Sequence, residues 1–179
     1  MANFQIDTNP KKIFFDLKTD RTKLTLDDYD KAANALMNNA KEYYLFIMKA
    51  SNGDLKQMLD TWCPFLSNCG LVCELLLKSI LCFEHIDYMK KLKGKDKHSL
   101  YQLYELLESS TKEEIINKFP HRSKENFDLC LKENSQIFFE LRYSTEYTEL
   151  TGNIYFIPDL MITLYNMIES KKLNLIDYM

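Results

Sequence analysis

Turn-forming residues are scarce in this chain: four Gly and four Pro stand among 179 residues. Sandwiches and barrels reverse direction often and draw on Gly and Pro to do so, so an all-β fold is not expected. The stretches between these residues instead carry apolar side chains at three- and four-residue steps, the mark of amphipathic helices. The first stripe is Leu26, Tyr29, Ala33, Leu36, Met37, Ala40, Tyr44 and Ile47. Thr25 stands ahead of it as an N-cap, and Asp27, Asp28 and Asp30 fall in the first turn, where the helix dipole favours acids. Asn52-Gly53 is read as its end.

A second helical stretch runs from Asp54 to His85, with Pro64 expected to split or kink it because proline removes a backbone donor. Within it, Leu71–Phe83 is the most apolar segment of the chain and is assigned to the centre of a bundle. Lys90–Lys97 reads as a lysine-rich loop around Gly94, and Ser99–Leu107 as a short helix. Thr111–Phe119 opens on the capping-box pattern Thr111-x-x-Glu114. Ser123 to about Tyr147 is predicted as one long helix, with Phe127, Cys130, Leu131, Asn134, Phe138 and Leu141 facing inward. Thr151-Gly152-Asn153 is a turn, and Pro158 fits the first turn of a last helix reaching about Ser170. The expected fold is all-α: an antiparallel up-and-down bundle of four or more long helices over residues 25–179. An arm, residues 1–24, precedes it, with Ile13, Phe14, Phe15 and Leu17 as a short strand or a packed segment. At 46% hydrophobic and 27% charged residues, the composition is that of one globular domain.

A net charge of -3 disfavours a protein that coats nucleic acid by bulk positive charge and leaves room for a local basic patch. Met1–Lys12 shows no basic start followed by an apolar run, so no signal peptide is expected. The longest weakly charged apolar stretch is taken to be Ile154–Ile168, too short for a membrane span and interrupted by Pro158, Asp159 and Asn166. The five Cys form no C-x-x-C pair and read as reduced, buried thiols of a cytoplasmic protein. Eleven Phe and eleven Tyr imply an aromatic core, or a surface share that meets a partner.

Several chemistries can be weighed from spacing. Cys69, Cys73, Cys82 and His85 are close in sequence, but at ~100° per residue the two pairs lie on opposite faces of a helix and cannot share one tetrahedral ion. No metal site and no cofactor are expected. Ser67-Asn68-Cys69-Gly70 is not a nucleophile elbow, and isolated glycines build neither a Walker loop nor a dinucleotide fingerprint. Lys90, Lys91, Lys93, Lys95 and Lys97 form either a solvated loop or a phosphate-contacting patch for RNA or a nucleotide. Glu74 and Lys78 lie four apart, Glu first, inside the most apolar helix; such a pair faces water or a charged partner in a polar cleft. Arg142, with Glu146 four residues on, is a local ion pair or the residue that completes that cleft.

Three of these stretches resemble the HEPN domain family of small α-helical bundles. Glu74-Leu75-Leu76-Leu77-Lys78-Ser79-Ile80-Leu81 is similar to the family's central helix. His98-Ser99-Leu100-Tyr101-Gln102-Leu103 is similar to its His-x-Leu-x-x-Leu stretch after a loop. Phe139-Glu140-Leu141-Arg142-Tyr143 is similar to the Arg-bearing end of the penultimate helix. The likeness spans residues 71–170. It implies a bundle that often dimerises, in ribonuclease toxins of defence and toxin–antitoxin systems or in non-catalytic partners of nucleotidyltransferases. Ribonuclease members place a His after four to six residues beyond the Arg. Here Tyr147 stands at the first of those positions, and no His occupies any of them. A tyrosine, with a pKa of about 10, is a poor proton acceptor at neutral pH. The resemblance therefore implies a non-catalytic module that dimerises and binds a protein partner or RNA. The alternative is a metal-independent endoribonuclease whose base is His98 or His121.

Overall fold

The computed structural model describes residues 24–50, 62–120, 126–142 and 155–176. The expected arm, the Asn52-Gly53 helix end, the Thr151-Gly152-Asn153 turn and His121 lie outside the described residues. Within them the chain is 84% helical and contains no strand, so the all-α class holds. The elements are α1 (Leu26–Ala50), α2 (Trp62–Phe83), α3 (Tyr88–Lys91), a 3-10 helix (Gly94–His98), α4 (Leu100–Glu105), α5 (Ser109–Lys118), α6 (Phe127–Glu133), α7 (Ile137–Arg142) and α8 (Phe156–Ile176).

Helix α1 starts where its cap predicts. Thr25 Oγ1 accepts from Asp28 N at 3.3 Å, and Asp28 Oδ2 accepts in return from Thr25 N at 2.9 Å, so two donors at the helix start are satisfied reciprocally. Pro64 lies near the start of the described part of α2, and residues 54–61 of the stretch it was expected to split or kink lie outside the described residues. The Thr111-x-x-Glu114 pattern does not open α5. That helix starts at Ser109 after Glu108, and Thr111 is buried inside it.

The expected long helix over 123–147 is interrupted. α6 stops at Glu133, a turn covers residues 134–136, and α7 begins at Ile137. Asn134 caps α6: its backbone N–H and its Nδ2 both donate to Cys130 O. The carbonyl of Ser135 then accepts from Leu100 N at 2.8 Å instead of continuing a helical ladder. A tertiary hydrogen bond thus breaks a stripe that looks continuous in sequence. The long helices among the described residues are α1, α2 and α8.

α2 is the centre. It packs against α1, α4, α7 and α8. Ala33 and Ala40 are fully buried on α1, and Ser79 Oγ donates to Ala33 O at 2.8 Å, a close approach that small side chains permit. On the opposite side, the Cys73 thiol lies 3.7 Å from Ile157 O of α8. Much of the aromatic content is core. Phe119, Phe127 and Phe156 meet mutually with centroids 5.0 to 5.4 Å apart, and Tyr44 of α1 stacks on Tyr165 of α8 at 3.9 Å. Each such buried ring contributes roughly 1.5–3 kcal/mol of apolar burial.

Among the described residues, Cys63–Phe83 is the helix that is long and apolar enough to compare with a membrane span. Its mean hydropathy of 1.6 over 21 residues is sufficient by length and composition to cross a membrane, yet 83% of its most apolar window is buried inside the protein. α2 is a core helix by this measure.

Candidate functional site

The core helix carries two charges. Glu74 and Lys78 are 4% and 7% exposed, and Lys78 Nζ lies 2.5 Å from Glu74 Oε1. The four-residue spacing puts them one turn apart on one face, and the Leu and Ile residues around them leave no water to solvate either alone. A third group joins them. His98, at the end of the 3-10 helix, places Nδ1 2.9 Å from the same Oε1. A carboxylate accepts, so the Nδ1–H donates and the ring is oriented by a buried anchor. The His98 side chain is 41% exposed, so the network runs from the core to the surface. Glu74 Oε2 is buried without a hydrogen-bond partner among the described residues.

The same pair shapes the lysine-rich segment. Lys78 Nζ sits 5.5 Å from the centroid of the Tyr88 ring, a cation–π contact. Tyr88 opens the segment and His98 closes it, so its two ends are fastened to adjacent turns of α2. Leu92, 8% exposed, anchors the middle. Asp87 caps α3 by accepting from Lys90 N, and Gly94 takes φ 51, a left-handed conformation suited to glycine, as the first residue of the 3-10 helix. The expected loop is therefore two short helical turns held in place. Lys90, Lys91, Lys93 and Lys95 are exposed on it and Lys97 is half-buried.

Arg142 ends α7, its side chain lying outside the described residues, as do Glu146 and Tyr147 entirely. α7 meets α2 around Gly70 and Ser67, and the turn before it meets α4. Ser135 meets Ser99 and Leu100 beside His98; Ile137 lies against Gly70; Phe138 O accepts from Ser67 Oγ at 3.3 Å. Cys69, Cys73 and Cys82 are buried among apolar groups. Burial pushes the Cys69 thiol up to about 12, the Cys82 thiol up to about 11, and Cys73 well upward. His85 turns the other way, at φ 55, with Nε2 3.8 Å from Asp30 and its ring edge-on to Tyr29.

Two clefts lie elsewhere. One of about 330 Å³ between α5 and α8 is lined by Lys118, Asp159, Thr163 and Asn166. One of about 300 Å³ is lined by Glu42, Tyr43, Phe46 and Asn68. Neither touches the charged network.

Sequence reasoning singled out Glu74, Lys78 and His98 but did not join His98 to the pair, and it missed the role of Tyr88. The available signal was the isolation of one carboxylate in an apolar helix, which demands more than one donor. Comparison with protein-family models, curated proteins and solved structures finds no match for this chain.

Proposed function

We propose that this chain is a non-catalytic HEPN-like module: an antiparallel helical bundle that pairs with a second copy of itself and binds a partner in a defence or toxin–antitoxin setting. The partner is a protein, such as a nucleotidyltransferase, or RNA or a nucleotide. The observation that carries the reading is the polar network. Glu74, Lys78 and His98 belong to the stretches that resemble the family, and they meet on the central helix. The sequence beyond Arg142 supports the non-catalytic half of the reading, because no His stands four to six residues on. The test is incubation of the purified chain with single-stranded RNA without added metal, beside light scattering. Intact RNA and a dimer mass are expected. Cleavage that disappears in Arg142→Ala overturns the non-catalytic reading, and a monomer mass at micromolar concentration removes the pairing.

One observation favours a second reading, a metal-independent endoribonuclease with a displaced base. A buried carboxylate orienting an imidazole whose ring is 41% exposed is an arrangement used to prepare a general base. Cleavage lost in His98→Ala and kept in His121→Ala marks that reading.

A further inference from the structure

Four lysines on other elements each lie within 3.9 Å of a carboxylate: Lys31 of Asp27, Lys41 of Glu169, Lys112 of Glu105 and Lys118 of Glu114. The five lysines of Lys90–Lys97 differ. Among the described residues, none of them pairs with a carboxylate. Asp87 is occupied in capping α3, and Asp96 is the acid inside the segment. Positive charge is thus concentrated and left unneutralised on a chain whose net charge is -3.

The concentration is also held in place. Lys78 on Tyr88 and Glu74 on His98 fasten the two ends, one helical turn apart on α2, and Leu92 is buried between them. Like charges on a loose chain spread apart, whereas here the fastening keeps them crowded and their repulsion remains. A partner of opposite charge relieves that repulsion, and a surface whose shape is already set loses little entropy on binding.

The surroundings of the lysines narrow the choice of anion. A nucleic-acid strand stacks its bases on aromatic rings. The tyrosines at hand already carry ammonium groups: Lys78 Nζ lies 5.5 Å from the Tyr88 centroid, and Lys132 Nζ lies 4.9 Å from that of Tyr101. No arginine stands in Lys90–Lys97 to grip a phosphate in a fork. A bilayer surface is held by charge together with apolar side chains that enter it, and the apolar residue of this segment, Leu92, is turned into the core. Carboxylate side chains fit best. They are acceptors spaced along a peptide, and lysine ammonium groups are point donors spaced along this segment.

We propose that Lys90–Lys97 is an interaction surface that receives an acidic segment of a protein partner, its lysines meeting Glu and Asp side chains. His98 belongs to the fastening and not to the contact. This rests on the reading of the chain as a protein-binding module and names the chemistry of the partner.

The test reads the anisotropy of a fluorescein-labelled peptide of Glu and Ala across a salt series. An unlabelled 2′-O-methyl oligoribonucleotide and vesicles holding phosphatidylserine are the competitors, matched to unlabelled peptide in total charge. The wild type is expected to bind the peptide, more weakly as salt rises, and neither competitor should displace it as well as unlabelled peptide does. The K93A/K95A variant, altered only at exposed positions, should lose about tenfold in affinity. K31A/K41A removes the same charge from α1 and should change affinity by less than about twofold. No peptide binding by wild type overturns the proposal. So does stronger displacement by the oligonucleotide or the vesicles, or an equal loss in the two variants. These failures leave the dimeric, non-catalytic module standing, whereas failure of that reading shows as RNA cleavage lost in Arg142→Ala or as a monomer mass.

Discussion

His98 reaches Glu74 across 24 residues of chain and shares with Lys78 a single carboxylate oxygen, Oε1. Two donors converge on one acceptor that is sealed in the most apolar helix of the protein. The arrangement makes each partner dependent on the others, because any charge left alone in that setting is uncompensated.

The first prediction follows. Glu74→Ala strands the Lys78 ammonium, and Lys78→Ala strands the Glu74 carboxylate, each at a cost of roughly 3–5 kcal/mol. The double replacement E74L/K78M removes both charges and is expected to be near neutral or stabilising. Urea unfolding of the three variants decides the matter. Single variants within ~1 kcal/mol of wild type would show that water solvates the pair, contrary to its burial. His98→Ala, altering a half-exposed side chain, should cost about 1–2 kcal/mol.

A second prediction concerns the contact of α2 with α7. A Cβ added at Gly70 would lie 2.8 Å from Ile137 Cγ2 and 3.4 Å from the backbone nitrogen of Phe138. Ile137 is itself buried and β-branched, so it has few rotamers to retreat into. Gly70→Ala is expected to destabilise by about 1–3 kcal/mol through overpacking, despite alanine's better helix propensity. Adding Ile137→Ala should recover part of the loss, and thermal melts that show simple additivity would place the strain elsewhere.

The buried thiols set a third expectation, in alkali. Burial raises Cys69 to about 12 and Cys82 to about 11, and raises Cys73 as well. In the unfolded chain these groups ionise near ~8.5. The folded state therefore holds protons that the unfolded state releases. Their stabilising contribution is complete below the unfolded pKa and is lost as pH rises through the folded values. Stability should be flat up to about pH 8 and then fall steadily toward pH 11–12. Replacing Cys69 and Cys82 by Ala should reduce that slope, even where it lowers stability at neutral pH. An unchanged slope would assign the alkaline loss to other groups, such as Tyr104, which burial with Asp128 and Glu105 nearby raises to about 12.

Much of the helix pattern was legible because it is local. The Thr25 cap and the stripe through Ala33, Met37, Ala40 and Ile47 specify α1 without reference to anything distant. The break at Asn134 was not legible, because its cause is the hydrogen bond from Leu100 N to Ser135 O, and pairing across 35 residues leaves no periodic trace. The same holds for the site. Glu74 and Lys78 could be read as a pair from their spacing, whereas His98 joins them only through the path of α3 and the 3-10 helix.

The last prediction separates His98 from Arg142 as partners of Glu74. Glu74 Oε1 accepts from His98 Nδ1 at 2.9 Å, and α7, which ends at Arg142, meets α2 at Gly70 and Ser67 through Ile137 and Phe138. Double-mutant cycles read this directly. Glu74→Gln with His98→Ala should show a coupling of about 1 kcal/mol or more, as groups sharing a hydrogen bond do. Glu74→Gln with Arg142→Ala should be additive to within ~0.5 kcal/mol. Strong coupling of Glu74 to Arg142, with none to His98, would overturn the assignment of His98 as the partner that Glu74 depends on.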